Sequence, residues 1–120
     1  ILRPDLQITA VDAVSKKTAF LTQVAIELRL SNFVARHARV EKLNGSYDLI
    51  TSRAFASLED FVSLTKTLMS PSGAWLAMKG VMPDNEVSSL PSGVKVEQIY
   101  PLIVPGLSEE RHLVVMKPAV

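Results

Sequence analysis

Charged residues stand at the ends of three apolar runs in this sequence, where strands would end. Asp12 closes the run QITAVD, Arg53 follows YDLITS, and Lys79 closes AWLAMK before Gly80. A carboxylate at such a point can accept hydrogen bonds from both hydroxyls of a ribose, because its two oxygens have suitable spacing. The other interpretation of Asp12 is a cap for the following helix, and the spacing alone leaves both open.

Basic residues at the other strand ends favour an anionic ligand. The planar guanidinium of Arg53 can grip a carboxylate, a phosphate or a base edge, although a surface salt bridge is the ordinary role of a lone arginine. Lys79 can extend its stem along apolar surface and keep its charge in water. Arg39, Val40 and Glu41 follow a further apolar run and complete this set of candidates.

Several familiar catalytic patterns are absent from the sequence. It contains no GxxxxGK[ST], GxSxG, CxxC or HExxH motif, so the chemistries that depend on them are not indicated. His112, in the run HLVVMK, has no serine or cysteine partner in the pattern and is interpreted as a structural histidine. No GxGxxG turn precedes Asp12, so the sequence lacks its own cradle for a phosphate or a methionine group.

Composition limits the class of protein. The chain has 120 residues, 48% of them hydrophobic, and a net charge of +1, which excludes a polybasic protein that binds by charge alone. Cysteine is absent, which excludes disulfides and a cysteine nucleophile and suits the reducing cytoplasm. No apolar run approaches the ~20 residues that span a bilayer. We therefore expect a cytoplasmic domain without a membrane segment and without a metal.

Charge is uneven along the chain. Residues 1–53 hold eight Lys and Arg against five Asp and Glu, whereas residues 54–120 hold five against seven. The first half is therefore the better candidate for contact with an anionic partner, and an ordinary solvated helix surface is the alternative.

Hydrophobic periodicity and turn residues predict the elements that position these side chains. Strands are predicted at residues 7–12, 33–37, 47–52 and 74–79, and a terminal antiparallel hairpin at 94–104 and 112–117. Helices are predicted at 15–30, with Ser15 as its cap and with Phe20 and Leu28 on its apolar face, at 57–68, and for one or two turns at 83–90. Residues 70–73 (SPSG) are predicted to separate the second helix from the next strand.

This alternation predicts a doubly wound, Rossmann-like α/β fold with a mostly parallel sheet in a single domain, residues 1–120. Ligands of such sheets bind beyond the carboxyl ends of the strands, where the candidates above are located.

The segments TAVDAVSKKTAFL, ARVEKL, YDLITSRAFASL, AMKG and ERHLVVMK, in this order, closely resemble the RsmG (GidB) family. The resemblance extends over essentially the whole chain, and SRAFASL and ERHLVV are more specific than a general methyltransferase pattern. It implies an S-adenosyl-L-methionine-dependent enzyme that methylates N7 of a guanine in 16S ribosomal RNA, free or in a small ribosomal subunit precursor. The family's first strand and glycine-rich loop have no counterpart here, so the chain is expected to be the C-terminal portion of the enzyme.

The resemblance also implies roles for single residues. Asp12 corresponds to the family acid near the cofactor ribose, and Val40 and Glu41 to the segment on the adenine side. Arg53 corresponds to the arginine that closes over the cofactor and the reaction site. Further residues are assigned to RNA binding or to the architecture of the site, namely Lys16, Lys17, Arg39, Lys79 and Arg111.

The sequence agrees with N7 as the target. This nitrogen carries a free lone pair and no proton, so its methylation needs alignment and no general base. Cysteine and the [ND]PP[YF] motif, which mark methylation of pyrimidine carbons and of exocyclic amines, are both absent. The RNA must be held by a local basic surface, for which the candidates are Lys16, Lys17, Arg36, Arg39 and Lys42.

A rival interpretation makes the chain a non-catalytic α/β fragment that binds RNA weakly or not at all. Without a middle strand the isolated chain would leave strand edges open, which predicts a dimer or a swapped assembly. A glycine-rich strand and turn encoded directly before Ile1 would favour the methyltransferase.

Overall fold

The computed structural model describes residues 2–53, 57–80, 90–103, 105–106 and 111–118. Its strands are β1 (Ile8–Asp12), β2 (Phe33–His37), β3 (Tyr47–Arg53), β4 (Met69–Lys79), β5 (Val94–Leu102) and β6 (Arg111–Pro118). Its helices are α1 (Ser15–Glu27) and α2 (Leu58–Thr65), with short 3₁₀ turns at Val40–Lys42 and Lys66–Leu68. The predicted helical turn at 83–90 lies, apart from residue 90, outside the described residues.

The chain divides into two compact units, Ile1–Leu43 and Asn44–Val120. In the first, β1 and β2 are parallel; the second holds a four-stranded sheet in the order β3-β4-β6-β5. Strands β3 and β4 are parallel, whereas β6 is antiparallel to both of its neighbours. The α/β arrangement and the terminal antiparallel hairpin are therefore confirmed, and the single domain stays a prediction. Within the described ranges no helix has the length and apolar character needed to cross a bilayer.

The turn from β1 into α1 is fixed by Asp12. Its Oδ1 accepts a 2.8 Å hydrogen bond from the N–H of Val14, the extended residue that precedes the helix. The prediction that Ser15 caps the helix is wrong, because Ser15 is the first helical residue and no side chain in the described part caps α1. The turn that Asp12 makes takes the place of a serine cap.

Helix α1 ends before the predicted residue 30 because Arg29 leaves the helical conformation. Its φ is +54°, in the left-handed region. The N–H of Arg29 donates to the carbonyl of Ile26 at 3.2 Å, and that of Leu30 to the carbonyl of Ala25 at 2.9 Å. This pair of hydrogen bonds is a Schellman motif, in which glycine usually occupies the position that Arg29 holds here.

Helix α1 is more exposed than its apolar pattern predicts. Leu21 and Val24 are half-buried, but Phe20 is 66% exposed and Leu28 52%. The apolar face that the sequence predicts for α1 is therefore only partly buried. A two-stranded sheet is too narrow to cover the whole apolar stripe of a helix.

Strand β4 begins at Met69, so the predicted separation by residues 70–73 is wrong. Tyr47 is in register with Met69 and Leu49 with Ala74, and the additional residues of β4 bulge between these pairs. A side chain at Gly73 would bring Cβ within 2.8 Å of the carbonyl oxygen of Asp48. A bulge also tolerates proline, since its residues need not donate to the ladder.

Helix α2 covers one face of the second sheet. Its start matches the sequence prediction, because the hydroxyl of Ser57 accepts a 3.0 Å hydrogen bond from the N–H of Asp60. The core between helix and sheet consists of Leu58, Phe61, Val62, Trp75, Ala77, Val94, Val114 and Met116. Inside it, the indole Nε1–H of Trp75 donates to the hydroxyl of Thr65 at 2.9 Å, and that hydroxyl donates to the carbonyl of Phe61 at 2.6 Å.

Candidate functional site

Asp12 lies at the carboxyl end of β1, where the strand-end rule places it. Its Oδ1 accepts from the N–H of Val14, and its Oδ2 lies 3.9 Å from the Nζ of Lys17. The side chain is 33% exposed, so it remains accessible from solvent. A carboxylate has about four lone-pair sites, so these contacts leave capacity for further donors such as hydroxyls.

His37, the last residue of β2, stabilises the edge of the first unit at which Asp12 lies. It is in parallel register with Asp12, and its Nε2–H donates to the carbonyl of Ala13 at 3.1 Å. The hydrogen bond ties the turn after Asp12 to the end of the neighbouring strand. Sequence reasoning missed this role, although the position of His37 at the end of a predicted strand beside Asp12 was a usable signal.

The segment Arg39–Lys42 continues from β2 at this edge. The N–H of Ala38 donates to the carbonyl of Asp12 at 3.1 Å, which brings the start of this segment next to the acid. Arg39 is exposed and Val40 is half-buried at the start of the 3₁₀ turn. Glu41 belongs to the same turn, but its side chain lies outside the described part. The structure thus brings Asp12, Arg39 and Val40 to one edge of the first unit.

Two lysines follow Asp12 on the first turn of α1. Lys16 and Lys17 are both exposed. Together with Asp12, Phe20 and Leu21 they line a shallow groove of about 400 Å³. The remaining predicted basic residues of this unit, Arg36 and Lys42, are also exposed.

The other site candidates lie at one edge of the second sheet. Arg53 is in register with Met78 in β4, and Lys79, the next residue along β4, is in register with His112 in β6. Arg111 begins β6 at the same edge. The carboxyl ends of β3 and β4 therefore meet the amino end of β6, as the topology predicts for a ligand-binding edge.

The two faces of the sheet separate these cations. Helix α2 packs on the face that carries Trp75 and Ala77, and side chains alternate between faces along a strand. Arg53 and Arg111 belong to the opposite face by register, whereas Lys79 shares the helix-covered face.

Arg53 is exposed, and no acid of the described ranges lies within ion-pair distance of it. The described residues therefore provide no partner for a surface salt bridge of Arg53, which was the other interpretation of this residue. Its fork of N–H donors is available to a ligand.

His112 has the structural role that the sequence indicates. Its Nδ1–H donates to the carbonyl of Gly80 at 2.6 Å, which ties the end of β4 to the start of β6. In the part of the chain that is described, no three side chains of His, Asp or Glu are grouped to hold a metal ion.

Comparison with known proteins identifies the family of this chain. The family model "GidB: rRNA small subunit methyltransferase G" matches residues 1–114. The protein named ribosomal RNA small subunit methyltransferase G from Leptothrix cholodnii is 55% identical over 119 residues, which cover 98% of this chain and 55% of that protein. The protein of the same name from Methylibium petroleiphilum is 53% identical, with 94% and 52% covered. The chain thus spans about half the length of the curated relatives it matches.

Solved structures support the fold independently. The crystal structure of TrmN from Thermus thermophilus superposes with a TM-score of 0.75 at 17% identity, over 92% of this chain and 36% of that one. The fold, with candidate ligand groups at the carboxyl ends of parallel strands, is that of the Rossmann-like methyltransferases, whose cofactor is S-adenosyl-L-methionine. The chain belongs to the RsmG (GidB) family of ribosomal RNA small subunit methyltransferases.

Proposed function

We propose that the complete protein, of which this chain supplies part of the methyltransferase domain, transfers a methyl group to N7 of a guanine in 16S ribosomal RNA in the cytoplasm. The observation that carries this proposal is the 55% identity, over 98% of the chain, to a ribosomal RNA small subunit methyltransferase G. Asp12 and Arg53, each at the carboxyl end of a parallel strand, and Val40, which follows β2, support it, since ligands of parallel sheets usually bind beyond such ends.

The first unit fits the nucleoside part of S-adenosyl-L-methionine. The carboxylate of Asp12 is held by the N–H of Val14, is open to solvent, and keeps lone pairs for the two ribose hydroxyls. Val40 offers half-buried apolar surface to an adenine, and Glu41 follows it with a carboxylate. When bound, this cofactor supplies an electrophilic methyl group on a positively charged sulfur.

The residues of the second unit have positioning and electrostatic roles. Guanine N7 has an in-plane lone pair and no proton, so no side chain must remove one. Arg53 can hold a phosphate or the O6 edge of a guanine through its planar fork, and so orient the base. Arg111 lies on the same face of the sheet as Arg53, where its charge can bind phosphates of the RNA backbone. Lys79 adds a positive charge at the same edge from the other face.

The alternative is that the 120-residue chain by itself is a non-catalytic α/β fragment. It is favoured by the coverage of only 55% of the relative's length. Under this alternative the residues above are present but the cofactor is bound weakly or not at all.

The proposal is tested by incorporation of a labelled methyl group into purified ribosomal RNAs. The protein is used in two versions, the 120-residue chain and a version extended at its N-terminus to the length of the relatives. We expect the extended version to label 16S RNA and to leave large-subunit RNA unlabelled. Equal labelling of both RNAs, or of neither, would contradict the proposal. Calorimetric titration with S-adenosyl-L-methionine then shows whether the short chain retains cofactor binding.

A further inference from the structure

Phe20 is a large aromatic side chain exposed next to two lysines. It is 66% exposed on α1. Lys16 and Lys17 precede it by four and three residues, which places all three on one side of the helix. They line one groove of about 400 Å³ beside Asp12. We call the surface formed by Lys16, Lys17 and Phe20 the α1 patch.

The charge of the α1 patch favours an anionic partner. Lys16 and Lys17 are exposed, and the Nζ of Lys17 lies 3.9 Å from the carboxylate of Asp12, an open contact that leaves ammonium donors for other groups. The unit as a whole carries more Lys and Arg than Asp and Glu. A phosphate backbone is complementary to the two ammonium groups of this surface.

The aromatic ring distinguishes the patch from the other apolar surface on α1. Ile26 is also 66% exposed, but it is aliphatic and lines a separate groove with Val34 and Phe33. A base can stack on the face of a phenyl ring but not on an isoleucine. Exposed aromatic rings between cations are the usual means by which proteins bind single-stranded nucleic acid.

We propose that the α1 patch binds an unpaired segment of the RNA substrate, with the ring of Phe20 stacked on one base and Lys16 and Lys17 on the neighbouring phosphates. The base is unpaired because bases inside an RNA helix are stacked on one another and offer no free face to a side chain. The inference rests on the proposed function for the identity of the RNA, and it adds a contact surface on the first unit that includes Phe20.

The test measures binding of a fluorescently labelled single-stranded RNA of about 12 nucleotides to the purified chain over a series of KCl concentrations. We expect Phe20→Ala to weaken binding about 5- to 150-fold at every salt concentration and to leave the salt dependence unchanged, because stacking releases no counterions. Lys16→Ala should lower the slope of log affinity against log salt by about 0.7. Ile26→Ala, an equally exposed change on the same helix, should bind as the unchanged protein does.

Two further substitutions separate stacking from apolar packing. Phe20→Trp should bind at least as tightly as the original, and Phe20→Leu should lose as much affinity as Phe20→Ala. Circular dichroism confirms that each variant remains folded. Full affinity in Phe20→Leu or Phe20→Ala would overturn the proposal. A changed sedimentation coefficient in Phe20→Ala without a change in RNA affinity would overturn it too, since the ring would then contact a second copy of the chain.

The methyl-transfer assay keeps this inference separate from the proposed function. If the extended version labels 16S RNA but Phe20→Ala changes neither RNA affinity nor the KM for RNA, the RNA-binding role of the α1 patch is excluded. The proposed function is unaffected by that result. If no RNA is labelled but the Phe20 series behaves as expected, RNA binding by the α1 patch is supported and the proposed function is wrong.

Discussion

Asp12 combines a structural contact with a predicted ligand contact in one carboxylate. It accepts from the N–H of Val14 and faces Lys17, so the two interpretations that the sequence leaves open are compatible. We predict that Asp12→Ala in the extended version weakens the binding of S-adenosyl-L-methionine by about 1.5–3 kcal/mol, the usual contribution of hydrogen bonds to a charged group. Calorimetry measures this change.

The control for Asp12 is Asp5→Ala, which removes an exposed acid of the same unit. Asp5 accepts two hydrogen bonds from Arg3, which lower the pKa of its carboxyl, and it lies outside the proposed site. Its loss should leave cofactor affinity unchanged. If Asp12→Ala lowered the Tm but kept full cofactor affinity, the only role of Asp12 would be to stabilise the turn before α1.

Arg53 is the residue whose proposed role depends on shape as well as charge. A lysine keeps the charge but loses the planar fork, so Arg53→Lys should slow single-turnover methyl transfer by at least about tenfold, the equivalent of one lost hydrogen bond to a charged group. Arg3→Lys serves as the control, because Arg3 is exposed and distant from Arg53 in the sequence. Unchanged rates for Arg53→Lys would remove this residue from the site.

Thr65 carries the buried polar network of the second unit. Its hydroxyl accepts from Trp75 and donates to the carbonyl of Phe61, and both Thr65 and Trp75 are 1% exposed. Thr65→Val keeps the shape but leaves the indole N–H unsatisfied, so the free energy of unfolding should fall by about 1–3 kcal/mol. Urea denaturation followed by Trp75 fluorescence measures it. The exposed Thr67→Val is the matched control, and an equal loss there would exclude the hydrogen bond as the cause.

At the scale of elements, the left-handed backbone conformation of Arg29 at the end of α1 costs free energy, and a glycine substitution removes this cost. Arg29 holds the left-handed position of the Schellman motif, where a side chain costs roughly 1 kcal/mol. We predict that Arg29→Gly raises the free energy of unfolding by about 0.5 kcal/mol, after the added freedom of glycine in the unfolded chain is deducted. Thermal unfolding checks the sign. Arg29→Ala should give no gain, and a gain as large as that of glycine would point to charge instead of backbone strain.

Elements whose pattern is regular were predictable from the sequence, whereas their ends depended on local contacts. The strand Phe33–His37 and the antiparallel hairpin follow from β-rich runs between turn residues. The start of β4 was missed because SPSG has the composition of a turn, and only the parallel partner β3 draws it into a bulged strand. Ser15 was misassigned because the side chain of Asp12 occupies the turn before the helix.

The candidate site could be located from topology, but its supporting contacts could not. Asp12, Arg53 and Lys79 end β1, β3 and β4, and the carboxyl ends of parallel strands are where ligands of such sheets usually bind. The hydrogen bond from His37 to Ala13 depends on the register between β1 and β2, which composition does not encode. The individual roles of Val40, Glu41 and Arg111 came from the family resemblance, and they remain proposals.

At the scale of the whole molecule, the described strands form two sheets, each with edge strands. The first unit has a two-stranded sheet, and β3 lies at the edge of the four-stranded sheet. Two-stranded sheets are marginal alone, and open edges invite pairing with another strand. The expected dimer of the isolated chain stays a prediction.

Nucleoside analysis of the product RNA identifies the atom that the protein methylates. 16S RNA is incubated with S-adenosyl-L-methionine and either version of the protein, digested to nucleosides and examined by mass spectrometry with chromatography against methylguanosine standards. We predict 7-methylguanosine with the extended version and none with the 120-residue chain. Methylation at any other atom, or 7-methylguanosine made by the short chain alone at the rate of the extended one, would contradict this prediction.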